Sequence, residues 1–159
     1  IARANEKAHA RHQLGLISEQ SLYNLIERRA ELEVIPACRE YGLGVIPWSP
    51  LAGGLLAERG DAAGGRRQSE SAKAARKKYG DQLQRFLHLC NALDESPSAV
   101  ALAWLLHQTG ITATIIGPAS AEQLTSVVHV PDIRLDADTL RLIDEIFPPC
   151  GQAPEAYAW

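Results

Sequence analysis

The sequence is short of the features that mark several broad classes of protein. It has no methionine and only 6% aromatic residues. No apolar run approaches the ~20 residues needed to cross a bilayer. Neither sign of charge dominates, since 16 Lys and Arg against 19 Asp and Glu leave a net charge of -3. We therefore expect neither nucleic acid nor a membrane as a partner.

Cysteine is also scarce. Cys38, Cys90 and Cys150 are odd in number, far apart and outside any Cys-x-x-Cys spacing. This pattern argues against a disulfide framework and a zinc site, and it predicts a reducing, cytoplasmic compartment. The five histidines lack a paired carboxylate motif, so no metal site is expected. The chain opens at Ile1 with a charged helical sequence rather than a signal peptide, and the missing Met indicates that Ile1 is not a native start.

What the sequence does contain is enough apolar residues for one domain, 1–159, because 46% of its 159 residues are hydrophobic. Helical and strand patterns alternate, which predicts an α/β fold built from parallel βα units. A Gly-rich stretch at 57–71, with almost no large apolar residue, is typical of a mobile binding loop. The predicted strands are 17–25, 44–48 and 111–116. The predicted helices are 1–14 and 31–41, then 72–93, one from Pro97 to Gly110 with Ser96 as its N-cap, and one capped by Asp136. The residues predicted to face inward are Ala4, Ala8 and Leu14 on the first helix and Leu83, Phe86, Leu87, Cys90 and Leu93 on helix 72–93.

The stretch Gly44–Leu56 resembles a cofactor shelf. It begins as a strand buried on both faces, and Pro47 ends the regular ladder. Trp48 then offers a flat aromatic surface at the carboxyl end of the strand. Gly53 and Gly54 let backbone N–H groups approach a phosphate without a Cβ in the way. A strand followed by a Pro-Gly turn and a core tryptophan is the alternative interpretation.

A second strand-turn-helix unit follows at Ile111–Leu124. A buried-type strand, 111–116, meets Gly117, and Ser120 and Gln123 have capping-box spacing. Such a unit aims backbone N–H groups and a helix dipole at one point, which favours an anion site. A plain βα turn with good capping explains the same residues.

Four motifs occur in a specific order along the chain. They are Gln20-x-x-Tyr23-Asn24-x-x-x-Arg28-x-x-Glu31, Trp48-Ser49-Pro50-Leu51-Ala52-x-Gly54-x-Leu56, Ala101-Leu102-Ala103-Trp104 and Ile115-Ile116-Gly117-x-x-x-x-x-Gln123-Leu124. Together they resemble the C-terminal half of an aldo-keto reductase, from about Gln20 to Pro148. That family is a (β/α)8 TIM barrel, so the resemblance implies that this chain holds strands six to eight and lacks the N-terminal half.

The resemblance implies a nicotinamide cofactor site, with NADP(H) favoured and NAD(H) possible. Gln20 matches the residue that hydrogen-bonds the nicotinamide carboxamide, and Trp48 matches the aromatic that stacks on the nicotinamide ring. Asn24 is interpreted as structural. The other matches are Ser49, Pro50, Leu51, Ala52 and Gly53 around the pyrophosphate, Arg59 near the same phosphates, and Gly117, Ala119 and Gln123 at the adenosine end.

Several residues depart from the family pattern. Ala119 replaces the Arg, Lys or Ser that usually holds the ribose phosphate, and Val127 replaces a typical adenine-binding Asn. Arg66 or Arg67 in the loop would supply the charge that is missing at Ala119. Glu58 stands where the family commonly has Gly and puts an acid near the phosphates. The choice between NADP(H) and NAD(H) therefore stays open.

The family's catalytic Asp, Tyr, Lys and His lie in the first half of the barrel, and no part of this chain matches that half. We therefore assign no catalytic residue. The resemblance implies part of an NADP(H)-dependent reductase that reduces an aldehyde or ketone by hydride transfer, with a missing N-terminal half supplying the tetrad. The alternatives are a non-catalytic, cofactor-sensing regulatory subunit, as in the potassium-channel beta subunits, and a degenerate half-barrel without nucleotide.

Overall fold

The computed structural model describes residues 1–57 and 70–151. Most of the predicted loop 57–71, including the candidate phosphate residue Arg59, lies outside the described residues. The C-terminal end of that loop was predicted two residues too long, because Glu70 and Ser71 already belong to a helix. Glu70 suits this position, since an acid in the first turn favours the helix dipole and pairs with Lys73 at 2.7 Å.

The helices begin and end where local signals place them. Side-chain caps predicted at Ser96, Ser120 and Asp136 are confirmed, because each side chain accepts a hydrogen bond from the backbone N–H three residues later. No helix in the described residues is long and apolar enough to cross a membrane. The described helices are α1 (Ala2–His9), α2 (Val34–Glu40), α3 (Glu70–Lys78), α4 (Gly80–Ala92), α5 (Pro97–His107), α6 (Ala121–Thr125) and α7 (Ala137–Ile146), with 3₁₀ turns at Arg29–Glu31, Ala52–Gly54 and Val130–Asp132.

The predicted helix 72–93 is in fact two helices. Tyr79 leaves the helical conformation, so α3 ends at Lys78 and α4 begins at Gly80. On α4 the predicted inward face is confirmed at Phe86 and Cys90, which are buried, whereas Leu87 is partly exposed.

The sheet is parallel, as the alternation of strands and helices predicted. The N–H groups of Ile46 and Trp48 extend the ladder, donating to the carbonyl oxygens of Glu19 and Ser21 at 2.8 and 3.0 Å. The paired strands are β1 (Ser18–Glu19) and β2 (Gly44–Val45).

The third predicted strand, 111–116, is reduced to a parallel bridge between Ile111 and Val45. The N–H groups of Thr112 and Ile115 donate to the carbonyl oxygens of Val45 and Pro47, both at 2.9 Å. The N–H groups of Gly44, Ile46 and Trp48 face β1, so positions 45 and 47 face this third segment. Pro47 has no N–H to donate there, which interrupts the ladder.

Burial of this third segment was predicted wrongly. Ile115 and Ile116 are 41% and 37% exposed. An apolar sequence is consistent with a buried strand only when neighbouring elements cover both of its faces. Among the described residues, no element covers the outer face of these two isoleucines.

The core lies between the sheet and α5. This helix is apolar on all sides, and its residues from Ala99 to Leu105 are buried. Helix α4 and the Val130–Asp132 turn pack against it, and α7 packs against α4. A helix without a polar face is the expected centre of such a layer.

A polar cluster with Tyr23 and Arg28 buried at its centre ties the segment after β1 to the helical layer. The Arg28 guanidinium donates to Glu31 Oε1 and to Asp144 Oδ1, each at 2.6 Å, and lies 5.0 Å from the Trp104 ring centroid. The Tyr23 hydroxyl donates to the same Glu31 oxygen at 2.7 Å. We call these five residues the Arg28 cluster.

The cluster keeps its ionic form. Burial acts to lower the pKa of Arg28, but the hydrogen bonds to Glu31 and Asp144 outweigh it and raise that pKa. Burial and the Glu31 carboxylate raise the pKa of Tyr23 well above its ordinary value. Tyr23 therefore stays protonated as a hydrogen-bond donor and is a poor acid at neutral pH.

The N-terminal segment packs differently from its helical pattern. Ala4, Ala8 and Leu14 were predicted to face inward, but Leu14 is 86% exposed and Asn5 is buried instead. Asn5 Oδ1 accepts the N–H of Leu16 at 2.6 Å. Asn5, whose side-chain oxygen accepts this N–H from the loop, thus takes the inward position.

Candidate functional site

The predicted nicotinamide residues lie together at the carboxyl edge of the sheet, where parallel strands end. The ladder from Glu19 to Ile46 and from Ser21 to Trp48 places exposed Gln20 beside the end of β2. On the other side of β2, the hydrogen bond from Ile115 to Pro47 brings the third segment to the same edge. The carboxyl ends of parallel strands are the usual place for a ligand site in α/β folds.

Trp48 presents its ring at this edge. Pro47 before it is fully buried, whereas Trp48 itself is 45% exposed. The backbone of Trp48 is fixed by its bridge to Leu22. A flat aromatic side chain that is held at the strand end and left half in solvent has a face free for stacking.

The turn after Trp48, residues 49–57, has an unusual backbone. Ser49 and Ala52 have φ of 53° and 49°, values that favour glycine, and Gly53 and Gly54 follow at 67° and 90°. Asn24 Nδ2 donates to the Ser49 carbonyl oxygen at 3.0 Å. This contact holds the first strained residue in place.

Asn24 is itself fixed by its own segment. Its Oδ1 accepts the N–H groups of Ile26 and Glu27 at 3.0 and 2.9 Å, and the residue is buried. Its structural role, predicted from sequence, is therefore specific: it connects the end of β1 to the 49–57 turn.

The backbone donors of this turn differ from those predicted. The Gly53 N–H donates to Ser49 Oγ at 3.2 Å, and the Gly54 N–H donates to the Leu51 carbonyl at 2.9 Å. Both predicted phosphate donors are thus already used within the turn. The N–H groups of Ser49 and Leu51 donate no hydrogen bond to the part of the chain that the structure describes. They are the amides left for a ligand.

A cation that the sequence analysis missed lies beside this turn. Arg76 of α3 lines a concavity of about 40 Å³. Its distance along the chain from the 49–57 turn concealed it, since only the packing of α3 brings the two together. The other lining residues are Ala52, Gly53, Gly54, Leu55, Ala72 and Ala75.

The predicted adenosine residues follow the third segment. Gly117, Ala119 and Gln123 are exposed, and the Ala119 N–H donates to Gln123 Oε1 at 2.8 Å. Ser120 Oγ accepts the Gln123 N–H, so two donors of the predicted anion site are already paired. A hydrogen bond from Ser120 lowers the pKa of Glu122. The resulting carboxylate opposes an anion at this five-residue helix.

The described histidines and cysteines form no metal site, since no group of three potential ligands comes together in residues 1–57 and 70–151. His107 Nδ1 lies 2.8 Å from the Ala103 carbonyl, and its Nε2 accepts the Leu135 N–H. His129 Nε2 lies 3.0 Å from Glu95. The sequence analysis missed this pair because 34 residues separate its members.

Comparison with known proteins places these observations in a family. The sequence matches the aldo/keto reductase family over residues 2–147. The uncharacterized oxidoreductase YrpG of Bacillus subtilis is 46% identical over 100% of this chain and 49% of its own length. An aldo-keto reductase of Fusarium vanettenii is 32% identical over 94% of this chain and 41% of its own length.

A more distant relative carries a different name. A protein of Schizosaccharomyces pombe, named as a candidate voltage-gated potassium channel subunit beta, is 28% identical over 92% of this chain and 46% of its own length. The chain thus spans about half the length of the curated relatives it matches.

Proposed function

The chain belongs to the aldo/keto reductase family, and from this premise we propose that it is the cofactor-binding, C-terminal portion of an NADP(H)-dependent reductase. The reductase converts an aldehyde or ketone to an alcohol by hydride transfer. The family implies a (β/α)8 barrel, and the parallel sheet of this chain is consistent with part of one. An N-terminal half completes the barrel and supplies the catalytic tetrad.

Two features support the existence of a complementary half. The chain covers only 49% and 41% of the first two relatives. Apolar residues are exposed along both sides of the parallel sheet, Ile17 beside β1 and Ile115 and Ile116 on the third segment. Unpaired parallel edges with exposed apolar side chains call for further strands.

The observation that carries the proposal is the exposed ring of Trp48 beside Gln20 at the carboxyl edge. Trp48 would stack on the nicotinamide ring, and Gln20 on the neighbouring strand would hydrogen-bond its carboxamide. Gln20 offers both a donor and an acceptor for that group. The two residues orient one face of the ring, and orientation is what the protein contributes to hydride transfer.

The remaining residues hold the rest of the cofactor. The N–H groups of Ser49 and Leu51 face the pyrophosphate, and the 49–57 turn supports it. Gly117, Ala119 and Gln123 line the adenosine end. NADP(H) remains the favoured cofactor, although Ala119 supplies no charge for a ribose phosphate and NAD(H) is the alternative.

When bound, the reduced nicotinamide supplies the hydride that the carbonyl carbon accepts. This chain's part is to bind and orient the cofactor. The proton for the carbonyl oxygen comes from the tetrad of the N-terminal half. Tyr23 does not replace the tetrad tyrosine, because its hydroxyl is buried and donates to Glu31.

The proposal is tested by titrating NADPH and then NADH into the chain while following tryptophan emission. Saturable quenching that is altered by Trp48→Phe supports the site. A chain that binds neither cofactor, alone or with its N-terminal half, contradicts it. Turnover of NADPH with an aldehyde by the two halves together tests the reductase activity itself.

A non-catalytic, cofactor-sensing regulatory subunit is the second candidate. The similarity to the protein named as a channel beta subunit favours it. The two candidates differ in the upstream sequence, because a reductase requires Tyr and Lys in tetrad context. A complete barrel that binds NADPH but consumes none of it in the presence of aldehydes or ketones favours the regulatory role.

A further inference from the structure

The concavity beside the 49–57 turn places a positive charge against an uncharged loop. The described loop, from Ser49 to Ala57, contains no charged residue. Among the described residues that line the concavity, Arg76 is the charged one. Helix α3 therefore supplies the positive charge that the described part of the turn lacks.

The guanidinium of Arg76 forms no hydrogen bond or ion pair with any residue in the described ranges 1–57 and 70–151. Glu70, the acidic residue in the first turn of α3, is paired with Lys73. A guanidinium forms strong charge-assisted hydrogen bonds with carboxylate and phosphate oxygens, so Arg76 suits an anionic partner at this position.

The backbone of the 49–57 turn cannot neutralise the charge of a bound anion by itself. Its amides from Ala52 to Ala57 donate within the turn, which leaves the N–H groups of Ser49 and Leu51. A pyrophosphate carries two negative charges. Two amides position such a group, but a guanidinium offers the forked donors and the full charge that match phosphate oxygens.

We propose that Arg76 binds the pyrophosphate of the nicotinamide dinucleotide against the 49–57 turn. This inference rests on the proposed function and adds a residue that neither the motifs nor the family resemblance assigned. Because the pyrophosphate is common to both cofactors, Arg76 contributes equally to NADPH and NADH. It is a binding residue and takes no part in proton transfer.

The test compares Arg76→Gln with Lys77→Gln, a matched loss of one positive charge at the next position of α3. NADPH, NADH and ADP are titrated into each variant, together with its N-terminal half where wild-type binding requires that half. Arg76→Gln is expected to weaken all three ligands about tenfold, the scale of one charge-assisted hydrogen bond. Lys77→Gln is expected to leave them unchanged, and Arg76→Lys to restore part of the affinity.

Each other result overturns the inference. Equal binding by Arg76→Gln and wild type removes Arg76 from the site, and weakened binding of NADPH alone assigns it to the ribose phosphate instead. A lowered unfolding midpoint in Arg76→Gln, with no gain from Arg76→Lys, makes its role structural. A wild-type protein that binds no ligand at all refutes the proposed function as well, which distinguishes the two failures.

Discussion

The Arg28 cluster and the carboxyl edge of the sheet are both built around a tryptophan next to polar side chains. In the cluster, Trp104 is 1% exposed and lies against Tyr23 and the Arg28 guanidinium. At the edge, Trp48 is 45% exposed, and its neighbour Gln20 is exposed as well. A tryptophan packed among other side chains serves stability, whereas we propose that the one left open at a strand end serves a ligand.

The largest effect should come from the buried tryptophan. Trp104→Ala is expected to lower the free energy of unfolding by about 4 kcal/mol, because it removes a large core side chain and leaves a cavity. The measurement is urea denaturation followed by circular dichroism. A loss below about 1 kcal/mol would mean that the Arg28 cluster does not stabilise the fold.

Removing the charge at the centre of the cluster should be nearly as costly. Arg28→Met leaves the Glu31 carboxylate without its cation, and breaking a buried pair from one side costs about 3 kcal/mol. Arg29→Met is the matched control, because Arg29 is exposed and pairs with Glu27 at the surface. Its unfolding midpoint should stay at the wild-type value. Equal losses in the two variants would contradict the distinction.

Much of this architecture could be predicted from the sequence. The features that could be predicted depend on interactions between residues close together in the chain. Ser96, Ser120 and Asp136 act on N–H groups three residues away, so composition and spacing predicted their caps. Arg28 and Asp144 are 116 positions apart, and no local pattern predicted their contact. The motif containing Arg28 indicated a family, not an ion pair.

The same distinction applies to the site. Trp48 was predicted from its place at a strand end and from the family resemblance, Gln20 from the resemblance alone, and their cofactor roles stay predictions. The donors of the 49–57 turn were not, because Gly53 and Gly54 turn their N–H groups inward only in the actual backbone conformation. The burial of 111–116 was overestimated since it depends on what covers the segment. A strand sequence specifies its apolar character but not its neighbours.

The link between the two regions is Asn24, and its loss should affect both at an intermediate level. Asn24→Ala is expected to cost about 2 kcal/mol, because the Ser49 carbonyl and two backbone N–H groups lose their partner. Asn24→Asp keeps the acceptor for those N–H groups but sets an oxygen against the Ser49 carbonyl. It should therefore weaken cofactor binding more than it lowers stability. Parallel denaturation and titration curves separate the two effects.

Substitution of Trp48 should lower cofactor affinity and leave stability almost unchanged. Trp48→Ala is expected to change the unfolding free energy by less than about 0.5 kcal/mol, as surface substitutions usually do. Its affinity for NADPH should fall about tenfold through loss of ring stacking. A large loss of stability together with unchanged affinity would assign Trp48 to the core and contradict the proposed site.

The smallest effect concerns cysteine reactivity. Burial raises the pKa of Cys90 to about 12 and also raises that of Cys38, so at pH 8 both thiols stay protonated and unreactive. Cys150 is exposed. A chromogenic disulfide reagent should therefore titrate one thiol rapidly in the native protein and all three in urea. Rapid reaction of a second native thiol would reveal opening of the core.

The contacts of Arg28 also bear on how the chain reaches its native state during synthesis. Besides Asp144, the guanidinium donates to the Phe147 carbonyl oxygen, 119 positions further along the sequence. Arg28 therefore remains without its final partners until Phe147 has left the ribosome. Contacts between such distant positions close large loops and form slowly. Ribosome-bound chains stalled before α7 should consequently be much more sensitive to protease than chains that include it.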